Sequence, residues 1–286
     1  MSKNIAASVK QKLLNKAKEG GRPFNEVLQY YVMERFLYRL SKSDHKERFI
    51  LKGALMLRAW QSPALRPTMD IDMLGITSNE INSIINQIKE IASLDMEPDG
   101  LLFDTETITA EEITEEADYK GIRVSLFAFL EKAKIKFHID IGFGDIVHPG
   151  YNEFEFPTLL NMPAPVLLGY SKESVIAEKF QAMVKLGIIN SRMKDFYDIW
   201  LLSRQYEFDK ETLAEAIRLT FENRETEIPA EIVAFSDQFI QEKQVQWTAF
   251  RKRIDQEHIP ESFAEVVSRI SEFLIPFINI AHRDIS

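Results

Sequence analysis

Arg66-Pro67-Thr68-Met69-Asp70-Ile71-Asp72-Met73-Leu74 is the stretch on which the reading of this chain turns. From Met69 to Met73 apolar and acidic residues alternate, the two-residue period of a β-strand. The side chains of Asp70 and Asp72 therefore share one face, while Ile71 points toward a core. Two carboxylates about 7 Å apart on one strand face repel each other unless a cation sits between them. Hard oxygen ligands in that arrangement suit Mg²⁺, with Mn²⁺ as a substitute, because Mg²⁺ takes one or two carboxylates plus water and phosphate oxygens. Alone, an Asp-x-Asp is more often an exposed polar strand face, so the weight falls on what accompanies it.

A third carboxylate has matching geometry. Lys134-Ile-Lys-Phe-His-Ile-Asp-Ile-Gly-Phe alternates strictly, with apolar residues at odd numbers, so Asp140 shares the polar face with Lys136 and His138. If this strand lies beside the Asp70 strand, three carboxylates converge. Carboxylates around two metal ions roughly 3.5 to 4 Å apart are what phosphoryl and nucleotidyl transfer use. Asp145 is a weaker competitor, since it follows Gly142 and Gly144 and reads as a turn residue. Lys52-Gly53-Ala54 opens an apolar helix, where unpaired N–H groups favour anions and Gly53 would let a phosphate approach; a packing glycine is an equal reading. Arg66 and Thr68 could bind phosphate or tether the loop before the aspartates.

Around these segments the expectation is an α+β protein, with an N-terminal mixed sheet and helices followed by an all-helical part. Residues 4–18 read as a helix ended by Gly20-Gly21. The next helix has one buried face, carrying Val27, Tyr30, Met33, Leu37 and Leu40. Phe49 to Trp60 reads as a helix with its lead-in, 78–92 as another, and Gly121–Leu130 as β-rich. Pro157, Pro163 and Pro165 mark 151–170 as an extended connection. Only helices are expected from Ser171, the last kinked at Pro276. Domains are expected at 1–165 and 166–286, the second contributing to the active site.

The 286 residues are 45% apolar and 28% charged, an ordinary globular composition. No apolar run reaches the roughly 18 to 20 residues that cross a bilayer, so no membrane association is expected. The start, Met1-Ser-Lys-Asn-Ile-Ala-Ala, shows no secretory apolar segment, and the chain has no cysteine, so the cytoplasm is the expected location. Absence of cysteine also excludes thiolate catalysis and cysteine zinc sites. A net charge of −9 argues against wholesale coating of nucleic acid, but charge is unevenly placed. Lys10, Lys12, Lys16 and Lys18 form a basic stretch, either a solvated helix face or an RNA contact. The seven carboxylates from Asp104 to Asp118, without lysine or arginine, read as a solvated loop or helix face.

Lys52-Gly53-Ala54 followed by Arg66-Pro67-Thr68-Met69-Asp70-Ile71-Asp72 resembles the G-[GS]-x(n)-D-x-D signature of polymerase-β-like nucleotidyltransferases. More narrowly, the chain resembles the AbiEii/AbiGii toxin family of abortive-infection toxin–antitoxin pairs. Glu173-Ser-Val-Ile-Ala-Glu178-Lys179-Phe and Arg192-Met-Lys194-Asp195-Phe-Tyr-Asp198-Ile-Trp resemble that family's two helical motifs, so the likeness covers about residues 48 to 202. It implies that Asp70 and Asp72 hold Mg²⁺ with an NTP, that Asp140 completes the metal site, that Lys179 neutralises the triphosphate, and that Asp195 orients Lys179 or the nucleotide. Ala54 departs from the serine that the superfamily often carries there. The likeness further implies NMP transfer to an RNA acceptor such as the tRNA 3′ end, and a separately encoded antitoxin. Without it, Glu178, Lys179, Lys194, Asp195 and Asp198 would read as an exposed charge cluster, and Phe196, Tyr197, Ile199 and Trp200 as core. Two alternatives remain: a metal-dependent nuclease, and a non-catalytic binding protein on a degenerate transferase fold.

Overall fold

The computed structural model describes residues 2–60, 68–115, 119–254 and 258–283. These form two compact units. The first comprises the described residues up to 144 together with 152–169; the second comprises 145–151 and everything from 170 onward.

In the first unit α1 (Ser2–Glu19) and α2 (Phe24–Lys42) precede β1 (Phe49–Lys52), α3 (Ala54–Ala59), β2 (Asp70–Gly75) and α4 (Ile81–Ala92). The strands β3 (Leu101–Glu115), β4 (Tyr119–Leu130), β5 (Ala133–Phe143), β6 (Asn152–Glu155) and β7 (Val166–Gly169) follow. Together they form one seven-stranded sheet in the order β3-β4-β5-β2-β1-β7-β6. It is mixed: β2 runs parallel to β5 and β1 to β7, and the other neighbours are antiparallel.

One sheet face buries Ile71 and Met73 of β2, Phe137, Ile139 and Ile141 of β5, and Val124, Leu126 and Ala128 of β4, all in a core with α2 and α4. Phe36, Phe103 and Phe137 meet there with ring centroids 5.6 to 6.1 Å apart. The opposite face carries Asp70 and Asp72 of β2, His138 and Asp140 of β5, and Arg123 and Ser125 of β4.

Several segments differ from their sequence reading. Helix α2 is buried without interruption from Val27 to Leu40, not along one face. Its polar residues are matched to loops: Glu34 accepts from Leu159 N at 2.6 Å and Arg35 donates to the Pro163 carbonyl at 2.9 Å. Arg39 donates to Asp99 Oδ2 at 2.6 Å, and Tyr31 to the Asp99 carbonyl at 2.7 Å. Buried charges survive only when paired in this way. The acidic run is strand β3 through Glu115, with residues 116–118 outside the described part, so its carboxylates decorate a sheet edge. Charge on an edge strand opposes pairing with another chain. The proline-rich connection contributes β6 and β7, and Phe49–Lys52 is a strand before a short helix.

The second unit holds α5 (Lys172–Leu186), α6 (Met193–Gln205), α7 (Lys210–Asn223), α8 (Asp237–Ile254) and α9 (Phe263–Arg283), the last with Pro276 inside it. Ser171 caps α5 by accepting from Ser174 N, and Asp209 caps α7 by accepting from Thr212 N. Its core is aromatic, with Phe196 against Phe239 and Phe263, and Trp247 against Phe250 and Phe263. Phe196, Tyr197, Ile199 and Trp200 are buried, as their helical spacing requires.

Candidate active site

Strand register assembles the first group of candidate residues. Asp72 of β2 is level with Asp140 of β5, and Asp70 with His138. On the other side Asp72 is level with Lys52 of β1, while Asp140 is level with Arg123 of β4, and Arg123 with Glu111 of β3. Residues directly opposite one another project to the same face. One row thus crosses five strands as Lys52, Asp72, Asp140, Arg123 and Glu111. A second row contains Asp70, His138 and Ser125, with Ser125 Oγ 2.8 Å from His138 Nδ1. Adjacent strands lie about 4.8 Å apart, so Asp72 and Asp140 are close like charges.

Arg123 answers that repulsion. Its Nε donates to Asp140 Oδ1 at 2.8 Å and its Nη2 to Oδ2 at 2.6 Å, a bidentate pair. The hydrogen bonds that Arg123 donates to Asp140, reinforced by the charges of Asp140, Asp70 and Glu111, raise the Arg123 pKa above its ordinary value against the opposing effect of burial. Arg123 is absent from the sequence expectation, although a signal was present. From Ile122 to Ala128 the even positions are apolar and buried, which puts Arg123 and Ser125 on the polar face. Only the neighbour relation between β4 and β5 turns that into a contact.

Gly53 stands directly against this row. Its φ of 72° is in the region that favours glycine, and an added Cβ would lie 2.6 Å from Asp72 Cγ and closer still to its oxygen. Gly53 therefore admits the Asp72 carboxylate. The phosphate cradle expected at Lys52-Gly53-Ala54 has little helix dipole behind it, because α3 is six residues long. Lys52 is buried beside Asp72 in the row, and Ala54 is buried. Thr68 Oγ1 donates to the Asp70 carbonyl at 3.3 Å and so tethers the strand start. Arg66 lies outside the described residues.

Asp70 and Asp72 are half-buried oxygen donors on one face, the ligand type and number that Mg²⁺ takes alongside water and phosphate. Among the described residues no three Asp, Glu or His side chains are gathered into a metal-holding cluster. The two-carboxylate arrangement fits the ion; the third carboxylate is held by Arg123.

The helical unit contains the second group. Lys179 Nζ of α5 lies 3.0 Å from Asp195 Oδ1 and 2.8 Å from Asp198 Oδ2, both on α6. Arg192 Nε stands 2.6 Å from Asp195 Oδ2. Contrary to the exposed cluster expected from spacing alone, Asp195 is 0% and Asp198 1% exposed. Burial pushes the Asp195 carboxyl up, but Lys179 and Arg192 outweigh it and hold the pKa at about 2. Asp145 is buried nearby in the same unit, paired with Arg224 at 2.9 Å, and Arg224 also lies 3.5 Å from Glu178.

The basic residues of α1 have little structural duty. Ala6, Val9, Leu13 and Ala17 form the helix's buried stripe. Lys12, Lys16 and Lys18 are exposed; Lys10 meets Glu131 at 3.0 Å and Lys16 meets Glu19 at 3.5 Å. Among the described residues no helix is long and apolar enough to cross a membrane.

A mixed sheet with aspartates on its polar face, continued by a helical part, is a nucleotidyltransferase-like architecture. In fold it is similar to the JHP933 protein of Helicobacter pylori, with a TM-score of 0.51 and 13% identity over 91% of this chain and 94% of that one. A second H. pylori structure, described as a nucleotidyltransferase, is also 13% identical over 90% of this chain and 96% of its own, with a TM-score of 0.48. Residues 35–269 match the family described as nucleotidyl transferase AbiEii toxin of type IV toxin–antitoxin systems, and the chain belongs to that family. Comparison with curated proteins gives no match. Membership makes this a toxin-family nucleotidyltransferase, with a nucleotide as substrate and an antitoxin as its counterpart.

Proposed function

We propose that the protein is a Mg²⁺-dependent toxin that transfers NMP from an NTP to an RNA acceptor, the tRNA 3′ end being the favoured class. The observation that carries this is the level placement of Asp72 and Asp140 on adjacent strands, with Asp70 on the same face. In this reading Asp70 and Asp72, completed by Asp140, would hold the ion, Mg²⁺ or Mn²⁺, whose role would be to neutralise phosphate charge. Lys52 lies beside Asp72 and would face the phosphates, and Gly53 keeps the Asp72 carboxylate in place. The acceptor hydroxyl attacks the α-phosphate, its proton passes to Asp140, and pyrophosphate leaves. No covalent enzyme intermediate is needed, so the rate comes from positioning and electrostatics. The exposed lysines Lys12, Lys16 and Lys18, with Lys10, would meet the RNA backbone.

The test uses purified protein, Mg²⁺, total cellular RNA and each α-labelled NTP in turn, with Asp72→Asn as control. Label on one RNA class with one NTP, lost in the variant and on chelation, is the expected result. RNA shortened without any NTP would replace this reading with the nuclease. Cellular toxicity retained by Asp72→Asn would replace it with the non-catalytic binding protein.

A further inference from the structure

The Arg123–Asp140 pair is asymmetric in exposure. The Asp140 side chain is 9% exposed, but that of Arg123 is 36% exposed, so the guanidinium can leave into solvent. Both Asp140 oxygens are engaged, at 2.8 and 2.6 Å, which sets a full positive charge against the atoms that a divalent cation would bind. A second carboxylate also waits beside it. Glu111 is level with Arg123 on the opposite side, on the exposed edge strand β3.

We propose that Arg123 is a resident counter-ion that closes Asp140 and is displaced toward Glu111 when a divalent cation binds the aspartate row. This rests on the metal-dependent reading above. Arg123 is then a positioning residue, acting through Asp140. With Arg123 in place Asp140 already has a cationic partner on both oxygens, and it becomes available only once a divalent cation has taken over that charge. Glu111, on the exposed edge strand, offers the released guanidinium a carboxylate in the same row, while the bound cation takes its place at Asp140.

The experiment measures Mn²⁺ affinity of the full chain without nucleotide or RNA, by electron paramagnetic resonance of unbound Mn²⁺. Removing the competing charge in Arg123→Gln should tighten binding about thirtyfold, the effect of one unit charge on a divalent cation at about 4 Å in a watery setting. Arg123→Lys, which keeps the charge but loses the fork, should fall between, and serves if the glutamine variant does not fold. In Asp140→Asn the Arg123→Gln change should have no effect. Glu111→Gln, which removes the receiving group, should weaken binding about twofold. If wild type binds Mn²⁺ and neither Arg123 variant binds more tightly at unchanged thermal stability, the counter-ion proposal is overturned and the metal reading stands. If wild type and folded variants all fail to bind Mn²⁺, both fall.

Discussion

Asp72 lies half-buried on an open sheet face, whereas Asp195 is enclosed completely between two helices. Each has cations near it, but the physics differs. In the row, Asp140 is buried but pairs with a half-exposed arginine, so water reaches the cationic side of the pair. In the helical unit, Asp195 and Asp198 share Lys179 away from water, so every lost partner leaves an uncompensated charge. Charge that must react or bind belongs in the first environment. Charge that must fix a side chain in one orientation belongs in the second.

The sharpest way to break this contrast is Asp195→Ala. It removes one of the two carboxylates at Lys179 and the Asp195 carboxylate at Arg192, and should cost about 3–5 kcal/mol by urea unfolding. A loss below about 1 kcal/mol would mean that the cluster is solvated and the contrast false. Asp72→Asn should do the reverse: unfolding should change by no more than about 0.5 kcal/mol, while transfer falls about 10²–10³-fold. A variant of Asp72 that unfolds would place this row among the structural elements.

Gly53→Ala tests the contact between backbone and carboxylate. The left-handed φ and the clash with Asp72 should cost about 1–3 kcal/mol, with transfer reduced as the carboxylate is displaced. Wild-type activity in that variant would remove Gly53 from the site.

Acid distinguishes the regions more finely. The Asp195 pKa of about 2 lies below the ordinary value of 3.8, so its contribution to stability is complete above that value. It is lost as pH falls toward 2. Wild type should therefore lose urea resistance more steeply than Asp195→Asn between those limits, and parallel curves would refute the assignment.

The smallest effect on folding is expected from changing Lys10, Lys12, Lys16 and Lys18 together to glutamine: about 0.5 kcal/mol or less. RNA binding should lose about 0.9 in its salt slope for each phosphate contact removed. An unchanged slope would take α1 out of the RNA interface.

Much of the site was legible because a strand's period is local. Alternation alone put Asp70 with Asp72, and Asp140 with His138, on polar faces opposite Ile71 and Ile139. The acidic β3 was misread because charge density masked its alternation. Helix α2 was misread because loops from elsewhere in the chain satisfy its buried Glu34, Arg35 and Arg39. Asp198 and Arg192 were visible in a motif, but nothing in helical spacing distinguishes a buried ion cluster from an exposed one.

By itself the sequence determined which residues share a face, that helices follow the sheet, and that no cysteine thiol can take part. Those properties depend on neighbours a few residues apart. Tertiary structure decided that β5 lies parallel beside β2 with Asp140 level with Asp72, that Arg123 closes Asp140, and that Asp195 is shut away from water. Register between strands distant in the chain, and burial between separate helices, are set by the packing of the whole unit, and no local pattern encodes them.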